Sequence, residues 1–366
     1  MAPENAPAHH AAVAIRAFEP HELGDRRLTG LRDLHNAVAR ETRPDDPPRP
    51  TRYFRDHYEA LAQATEFHRR FWVAEADREV VGCLIASRRR KGGNERVLHL
   101  ELLVEPGARR RGTGTALTRK AAAFARDYDQ DVLIGLVTGH EPLSDRPGGH
   151  FLRALGGQPG LEHRIYRLEL DRVDEALLRD WVREGTGRSP DVEPVWRSGA
   201  FQANELDAVS RIMGAMNGAP RGDLKTEPTH YTPESVAQLD RATFARGFER
   251  TALFLRDRRT GDLLGYTMML ADPYDSRLLR QADTAVDPAA RGRGLGKWLK
   301  AAMLLRTLRD RPARSEVRTG TADDNRAMIE INRRIGFRPW LAHSVWQIEL
   351  PTLEEALARR VASSAR

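Results

Sequence analysis

The residues best suited to chemistry form one short run, Val286-Asp287-Pro288-Ala289-Ala290-Arg291-Gly292-Arg293-Gly294-Leu295-Gly296, which leads from an apolar strand into a helix beginning Leu295-Gly296-Lys297-Trp298-Leu299-Lys300. Glycines at 292, 294 and 296 let the backbone approach a ligand closely and take positive φ, so that successive N–H groups can converge on one anion. The helix start adds unpaired donors and the positive end of its dipole. That combination binds a pyrophosphate without a Walker lysine, and the Walker pattern is absent. A GxGxxG dinucleotide fingerprint would require an acidic residue ~20 positions later at the end of a second parallel strand, and the sequence has none there.

The pattern occurs twice. Val104-Glu105-Pro106-Gly107-Ala108-Arg109-Arg110-Arg111-Gly112-Thr113-Gly114 stands at an offset of 182, and both segments read V-acid-P-x-x-R-x-x-G-x-G. Upstream, Val80-Val81-Gly82 matches Leu263-Leu264-Gly265 at 183. Downstream, Leu155-Gly156 matches Ile335-Gly336 and Leu168-Glu169-Leu170 matches Ile348-Glu349-Leu350, both at 180. Four landmarks in one order identify an internal repeat. Asp283 and Glu101 each lie three residues before the strand-ending valine, so one carboxylate recurs at the same place. Such a group can take the proton of an attacking amine, or it can be an edge-strand charge or an anion that binds the amine.

Two repeats of about 150–180 residues suit a chain of 366. Periodicity predicts the same elements in each. In the first they are strands near 13–18, 70–76, 79–86, 97–104, 131–137 and 164–170, with helices near 22–40, 51–64 and 112–127 and a short one ending near 155. The counterparts are strands near 194–198, 250–256, 263–270, 280–286, 315–319 and 344–350, with helices near 203–216, 233–246, 294–309 and 325–335. The expected organisation is a disordered lead-in (1–12), an N-terminal domain (13–171), a helical linker (172–193), a C-terminal domain (194–351) and a helical tail (352–366). In the linker a helix is expected over Val173–Glu184, with Gly185-Thr186-Gly187-Arg188-Ser189-Pro190 as flexible chain. The fold class is α/β.

Composition narrows the function classes. Hydrophobic residues at 40% and charged residues at 30% describe a globular protein, and no apolar run approaches the ~20 residues of a membrane span. The amino terminus lacks the basic start and apolar stretch of a signal peptide, so a cytoplasmic protein is expected. The single cysteine, Cys83, excludes an internal disulfide and a cysteine-cluster metal site. The net charge of +7 is spread along the chain without zinc-finger or RNP-like spacing, which argues against nucleic acid.

V-x-P-x-x-R-x-x-G-x-G entering a helix, followed by a strand and by Thr319-Gly320-Thr321-Ala322-Asp323-Asp324-Asn325-Arg326-Ala327-Met328-Ile329-Glu330-Ile331-Asn332-Arg333-Arg334-Ile335-Gly336-Phe337, resembles the GCN5-related N-acetyltransferases (GNAT). The tandem arrangement is similar to the actinobacterial two-domain group that includes mycothiol synthase. The resemblance implies two GNAT-like domains, each a mixed, mostly antiparallel sheet flanked by helices. It also implies an acyltransferase of class EC 2.3.1, using acetyl-CoA and a small-molecule amine in specialised metabolism, with no metal. A monomer or homodimer is expected. The pantetheine arm would lie against Thr284, Ala285 and Val286 between splayed strands, with the pyrophosphate on Arg291 to Gly296 and with Lys297 and Asn325 nearby. Val104 and Arg109 to Gly114 would be the corresponding loop in the first copy. A backbone N–H near Val286 would polarise the thioester carbonyl, and the amine would attack it directly. Asp283 is the candidate base. The family's tyrosine four residues before the helix-ending glycine is replaced by Asn332, and by Leu152 in the first copy, so either Tyr266, Tyr274 or His343 is the acid or the thiolate leaves to solvent. Asn325 also suits a helix N-cap. Its counterpart is Asp145, Pro147-Gly148-Gly149 makes a poor helix, and Gly157 replaces Phe337, so the second copy is expected to catalyse and the first to be partly degenerate. The alternatives are a non-catalytic acyl-CoA-binding or regulatory module and a protein amine acetyltransferase.

Overall fold

The computed structural model describes residues 13–364; the expected lead-in, 1–12, falls outside them. The first repeat runs β1 (Ala14–Phe18), α1 (Asp25–Arg40), α2 (Thr51–Gln63), β2 (Phe67–Ala76), β3 (Glu79–Arg89), β4 (Val97–Val104), α3 (Thr113–Asp127), β5 (Val132–Gly139), α4 (Pro147–Arg153) and β6 (Gln158–Glu169). Helix α5 (Glu175–Arg188) joins it to β7 (Val192–Ser198), α6 (Leu206–Met213), α7 (Pro233–Ala245), β8 (Glu249–Asp257), β9 (Leu263–Ala271), β10 (Leu278–Val286), α8 (Leu295–Asp310), β11 (Glu316–Ala322), α9 (Arg326–Ile335) and β12 (Arg338–Glu349). Helix α10 (Leu350–Ser364) follows.

All twelve strands form one sheet, ordered β1-β2-β3-β4-β5-β12-β6-β11-β10-β9-β8-β7. Every pairing is antiparallel except β4–β5 and β10–β11. The last strands change places: β12 lies beside β5 of the first repeat, and β6 beside β11 of the second. Where β6 and β12 meet, His163 stands opposite His343, the residue 180 positions later. Both strands begin six residues before their expected starts, because each extends to reach the other repeat.

Helices cover both faces of each half-sheet. In the first repeat Leu28, Leu31 and Tyr58 pack on Val73 and Ile85, while Leu117 and Leu353 cover Leu84 and Leu133 on the opposite face. In the second, Val209, Ile212 and Val236 cover Phe254 and Tyr266, and Leu178 of α5 joins Leu299 and Leu304 of α8 over Val317. Helix α5 continues through the segment expected to be flexible. Gly185 acts by size here, since a Cβ on it would stand 2.8 Å from that of Trp298. Helix α4 likewise forms over Pro147-Gly148-Gly149: proline suits a first turn, and a Cβ on Gly149 would meet the Leu143 carbonyl at 2.4 Å. Helix α6 is shorter than expected, its ends being 3₁₀ turns over Ala203–Glu205 and Gly214–Gly218.

One ammonium group is buried beneath α8. Lys300 is 1% exposed and its Nζ donates to Oδ1 of Asn332, whose Nδ2 donates to Thr321 Oγ1 at 3.1 Å. The Phe337 ring centroid lies 5.0 Å from Nζ. The first repeat has Thr118 and Leu152 at the corresponding places. Burial with a neutral partner pushes Lys300 down from 10.5 to about 7.

Two outcomes follow from these arrangements. Halves cut near residue 190 and expressed separately each lack the strand that completes their sheet, so gel filtration and circular dichroism will find aggregates or strand-swapped dimers; two folded monomers would contradict the exchange. In the unfolded chain Lys300 binds its proton up to about 10.5, in the folded chain only to about 7, so folding stability rises with pH across that interval. The difference in melting temperature between wild type and Lys300→Met will therefore grow in favour of wild type from neutral to alkaline pH. A pH-independent difference would show an ordinary lysine.

Candidate active site

The Arg/Gly loops adopt the conformation that their glycines allow. Gly292 and Gly294 both have φ of +81°, and Gly294 is the N-cap of α8. A Cβ at either position would meet nothing within 4 Å, so glycine is required there by φ and the loop mouth is open. In the first repeat Gly112 caps α3 with φ of +84°, and Arg110, at φ +64°, stands where the second has Gly292. Gly296 and Gly114 bring their helices close to Val286 and Val104. Leu295 and Thr113 are buried and offer the loop backbone rather than side chain.

The arginines divide by what holds them. Arg109 Nε donates to the Val104 carbonyl at 3.2 Å, and its two terminal nitrogens fork onto Glu41 at 2.8 and 2.6 Å. Arg291 makes only the matching bond, Nε to the Val286 carbonyl at 3.4 Å, and no carboxylate pairs with it among the described residues. Arg293, expected at the anion, instead holds Asp191 at 2.9 and 3.0 Å and Ser189 at 3.2 Å, tying the loop to the chain after α5. Lys297 Nζ lies 5.6 Å from the Trp181 ring centroid. Arg110 and Arg111 are exposed beside the first loop.

Strands β10 and β11 pair only over Leu278–Arg280 with Glu316–Arg318, after which β10 keeps to β9 and β11 to β6. Thr284, Ala285 and Val286 therefore border a splay that ends at the glycine loop. Strands β4 and β5 part in the same way after Leu100 and Gly135. The β10 ladder breaks register between Gln281 and Thr284, whereas β4 pairs with β3 without interruption. A bulge re-aims side chains and frees backbone donors, and this one contains Asp283.

Asp283 is half-buried, and burial holds its carboxyl above the usual carboxylate range. Two phenols flank it. Tyr266 is fully buried, its hydroxyl has no hydrogen-bond partner of good geometry among the described residues, and burial together with the Asp283 charge raises its pKa far beyond that of an available acid. Tyr231 is raised by the same two causes, burial first. Nothing in the sequence marks Tyr231, which arrives on the chain entering α7. Glu101, the counterpart of Asp283, is solvent-exposed on β4 and feels the Arg246 guanidinium, which favours its charged form.

The other candidate acids have structural positions. His343 Nδ1 lies 3.0 Å from His163 Nε2 at the seam, and burial lowers its pKa to about 4, so it is neutral at pH 7. The Tyr274 hydroxyl donates to Asp56 of α2 and, through burial and that carboxylate, is raised to about 12. Asn332 is held by Lys300 and Thr321. Asn325 caps α9, its Oδ1 accepting from the Met328 N–H at 3.2 Å. Asp145 lies instead in a 3₁₀ turn before α4.

Two crossing arms were not legible in the sequence. Residues 41–50, between α1 and α2, reach the second repeat, where Arg49 forks onto Asp272 at 3.0 and 3.0 Å and Asp46 receives Arg318. Residues 219–232 reach the first, with Asp223 N–H on the Gly160 carbonyl at 2.7 Å and Asn94 Nδ2 on the Glu227 carbonyl at 3.0 Å. Among the described residues no three His, Cys, Asp or Glu side chains are grouped to hold a metal ion, and no helix is long and apolar enough to cross a membrane.

The model of the Acetyltransferase (GNAT) family matches residues 31–142 and 220–337. A mycothiol acetyltransferase of Salinispora tropica is 29% identical over 253 residues, covering 68% of this chain and 72% of that protein. One of Gordonia bronchialis is 29% identical over 243 residues, covering 65% and 69%. Among solved structures, a tandem GNAT protein from the clavulanic acid biosynthesis pathway superposes with a TM-score of 0.75 at 23% identity, covering 93% of this chain and 99% of that one. A GCN5-related N-acetyltransferase from Sphaerobacter thermophilus gives 0.62 at 16% identity, covering 92% and 96%. With two matched segments that together span more than half of its length, the chain belongs to the Acetyltransferase (GNAT) family and is a tandem, acyl-CoA-dependent acetyltransferase.

Proposed function

We propose that the second repeat transfers an acetyl group from acetyl-CoA to a primary amine of a small molecule, by direct attack within a ternary complex in the cytoplasm. The observation that carries this reading is the contrast between the two arginines: Glu41 neutralises Arg109, whereas Arg291 stands beside an open glycine loop with no carboxylate. A diphosphate supplies the missing negative charge, and the α8 N-terminus and the amides of 291–296 supply its hydrogen bonds. Lys297 adds a second positive charge one turn along. Arg293 serves by holding the loop in place, and Asn325 by capping α9.

The reaction needs little from the protein beyond positioning. The amine nitrogen bonds to the thioester carbonyl carbon, the carbon–sulfur bond breaks with its electron pair going to sulfur, and the nitrogen loses a proton. Asp283 accepts that proton, directly or through water. Its raised pKa makes it a better base than an exposed aspartate. Because β10 parts from β11 after Arg280, the edge of Thr284–Val286 that faces β11 has no strand partner, and a main-chain N–H there polarises the carbonyl.

The first repeat, residues 13–171, is the partly degenerate unit, since it lacks the bulge and its loop arginine is paired. Residues 194–351 form the catalytic unit, with 172–193 as linker and 352–366 as a tail, whose helix α10 packs on α3. The relatives named mycothiol acetyltransferase support a small-molecule acceptor in specialised metabolism.

Release of free CoA thiol from acetyl-CoA in the presence of an amine panel tests the transfer, and no amine-dependent thiol with the intact chain would leave only a binding module. Asp283→Asn will lower kcat by about 10²–10⁴ while KM for acetyl-CoA holds. The wild-type rate will fall on acidification through a pKa above the ordinary aspartate value, and that limb will be missing in Asp283→Asn. Gly294→Val will abolish activity while Gly112→Val leaves most of it. Equal losses at both glycines would refute the unequal roles of the repeats.

A further inference from the structure

The arm at residues 41–50 brings a group of arginines together on the second repeat, on the face of β10 and β11 away from α8. Most of them have a carboxylate. Arg49 and Arg280 share Asp272, Arg318 is held by Asp46 and Glu316, Arg167 faces Glu316 at 3.1 Å, and Arg277 pairs with Asp275. Arg43 is different. Its half-buried guanidinium makes no hydrogen bond or ion pair among the described residues, and its Nε is fully buried without a partner. The charges acting on it are Asp46, already engaged, and the guanidiniums of Arg318, Arg280 and Arg49. A cation held half-buried among other cations is costly unless an anion completes the group.

Space for that anion is present. Arg43, Thr42, Arg167, Arg318 and Trp340 line a cavity of about 110 Å³, enough for a carboxylate or phosphate group. The carboxylates on its wall, Asp46 and Glu316, are both held by Arg318. Asp45 also borders it but is exposed and is not among the charges acting on Arg43. Burial, opposed by Asp46 and reinforced by the three guanidiniums, lowers the pKa of Arg43, as expected of a cation awaiting its counter-ion.

We propose that this cavity binds an anionic oxygen group, carboxylate or phosphate, carried by the acceptor, with Arg43 as its principal ligand. The inference rests on transfer at Asp283 and narrows the acceptor to small amines that also bear an acid. Arg280, whose charge acts on Arg43, precedes Asp283 by three residues on β10, so the strand that carries the base also borders the arginine group. The first repeat contributes the residue that selects for such an acceptor.

The test uses the full chain and three probes of one length: 6-aminohexanoate, 6-aminohexyl phosphate and the uncharged 6-aminohexanamide. Calorimetry will detect binding of one or both anionic probes but not of the amide, and Arg43→Gln will abolish it. In turnover with acetyl-CoA, kcat/KM will favour the better anionic probe over the amide by about ten- to hundredfold, the usual yield of a charge-assisted pair. Arg43→Gln will bring that ratio near one with KM for acetyl-CoA unchanged, and Arg43→Lys will restore part of it. The ranking of hexanoate against phosphate identifies the group. Equal binding of all three probes, or an anion preference that survives in a folded Arg43→Gln protein, overturns the assignment. Anion binding that depends on Arg43 without any amine-dependent thiol release would instead uphold the cavity and refute the transfer reading.

Discussion

Strands β10 and β11 share backbone hydrogen bonds only over Leu278–Arg280 and Glu316–Arg318, and beyond that point each has to find its partner elsewhere. The same is true of β4 and β5 after Leu100 and Gly135. An open strand edge inside a protein leaves donors and acceptors that must be satisfied. The facing edges of each splay stay without a strand partner, and the strands are held by their far edges: β10 by β9 and β4 by β3, β11 by β6 and β5 by β12. The last two partners come from the opposite repeat and also pair with each other. The splay that can admit an extended ligand and the continuity of the twelve-stranded sheet are thus one arrangement.

The two repeats share a backbone plan and differ in how charge is placed on it. Both loops pass through positive φ just before a helix, and both use an arginine Nε to cap the preceding strand. One arginine is then closed off by Glu41 and the other is not. One strand carries a bulge with a half-buried carboxyl that two phenols flank, whereas the other pairs without interruption and its Glu101 feels the Arg246 guanidinium. Beneath the helices, Lys300, Asn332 and Thr321 replace what is threonine and leucine packing in the first repeat.

What the sequence revealed was local or repeated. The glycine loops, the paired carboxylates, the cap at Asn325 and the order of elements all follow from spacing over a few residues, and duplication at an offset near 180 made them easy to recognise. The exchanged strands were hidden because the apolar pattern of β6 satisfies either neighbour, and registry across a seam is a long-range choice. Gly185 was misread because glycine is both the freest residue and the smallest, and only the presence of Trp298 shows which property matters. Arg293 leaves the anion site for Asp191 for a related reason. In an arginine-rich chain, the carboxylates that occupy each guanidinium come from distant segments, so the free one is visible only in three dimensions.

At the seam a histidine faces its own counterpart, His163 against His343, as two identical residues would across the axis of a symmetric dimer. A pair of separate, identical subunits would carry every substitution on both sides of such an axis. Joining the halves through α5 removes that obligation while leaving the interlocked strands intact. One side is then free to give up chemistry and become a wall and an arm for the other, and the shared sheet keeps the two from drifting apart.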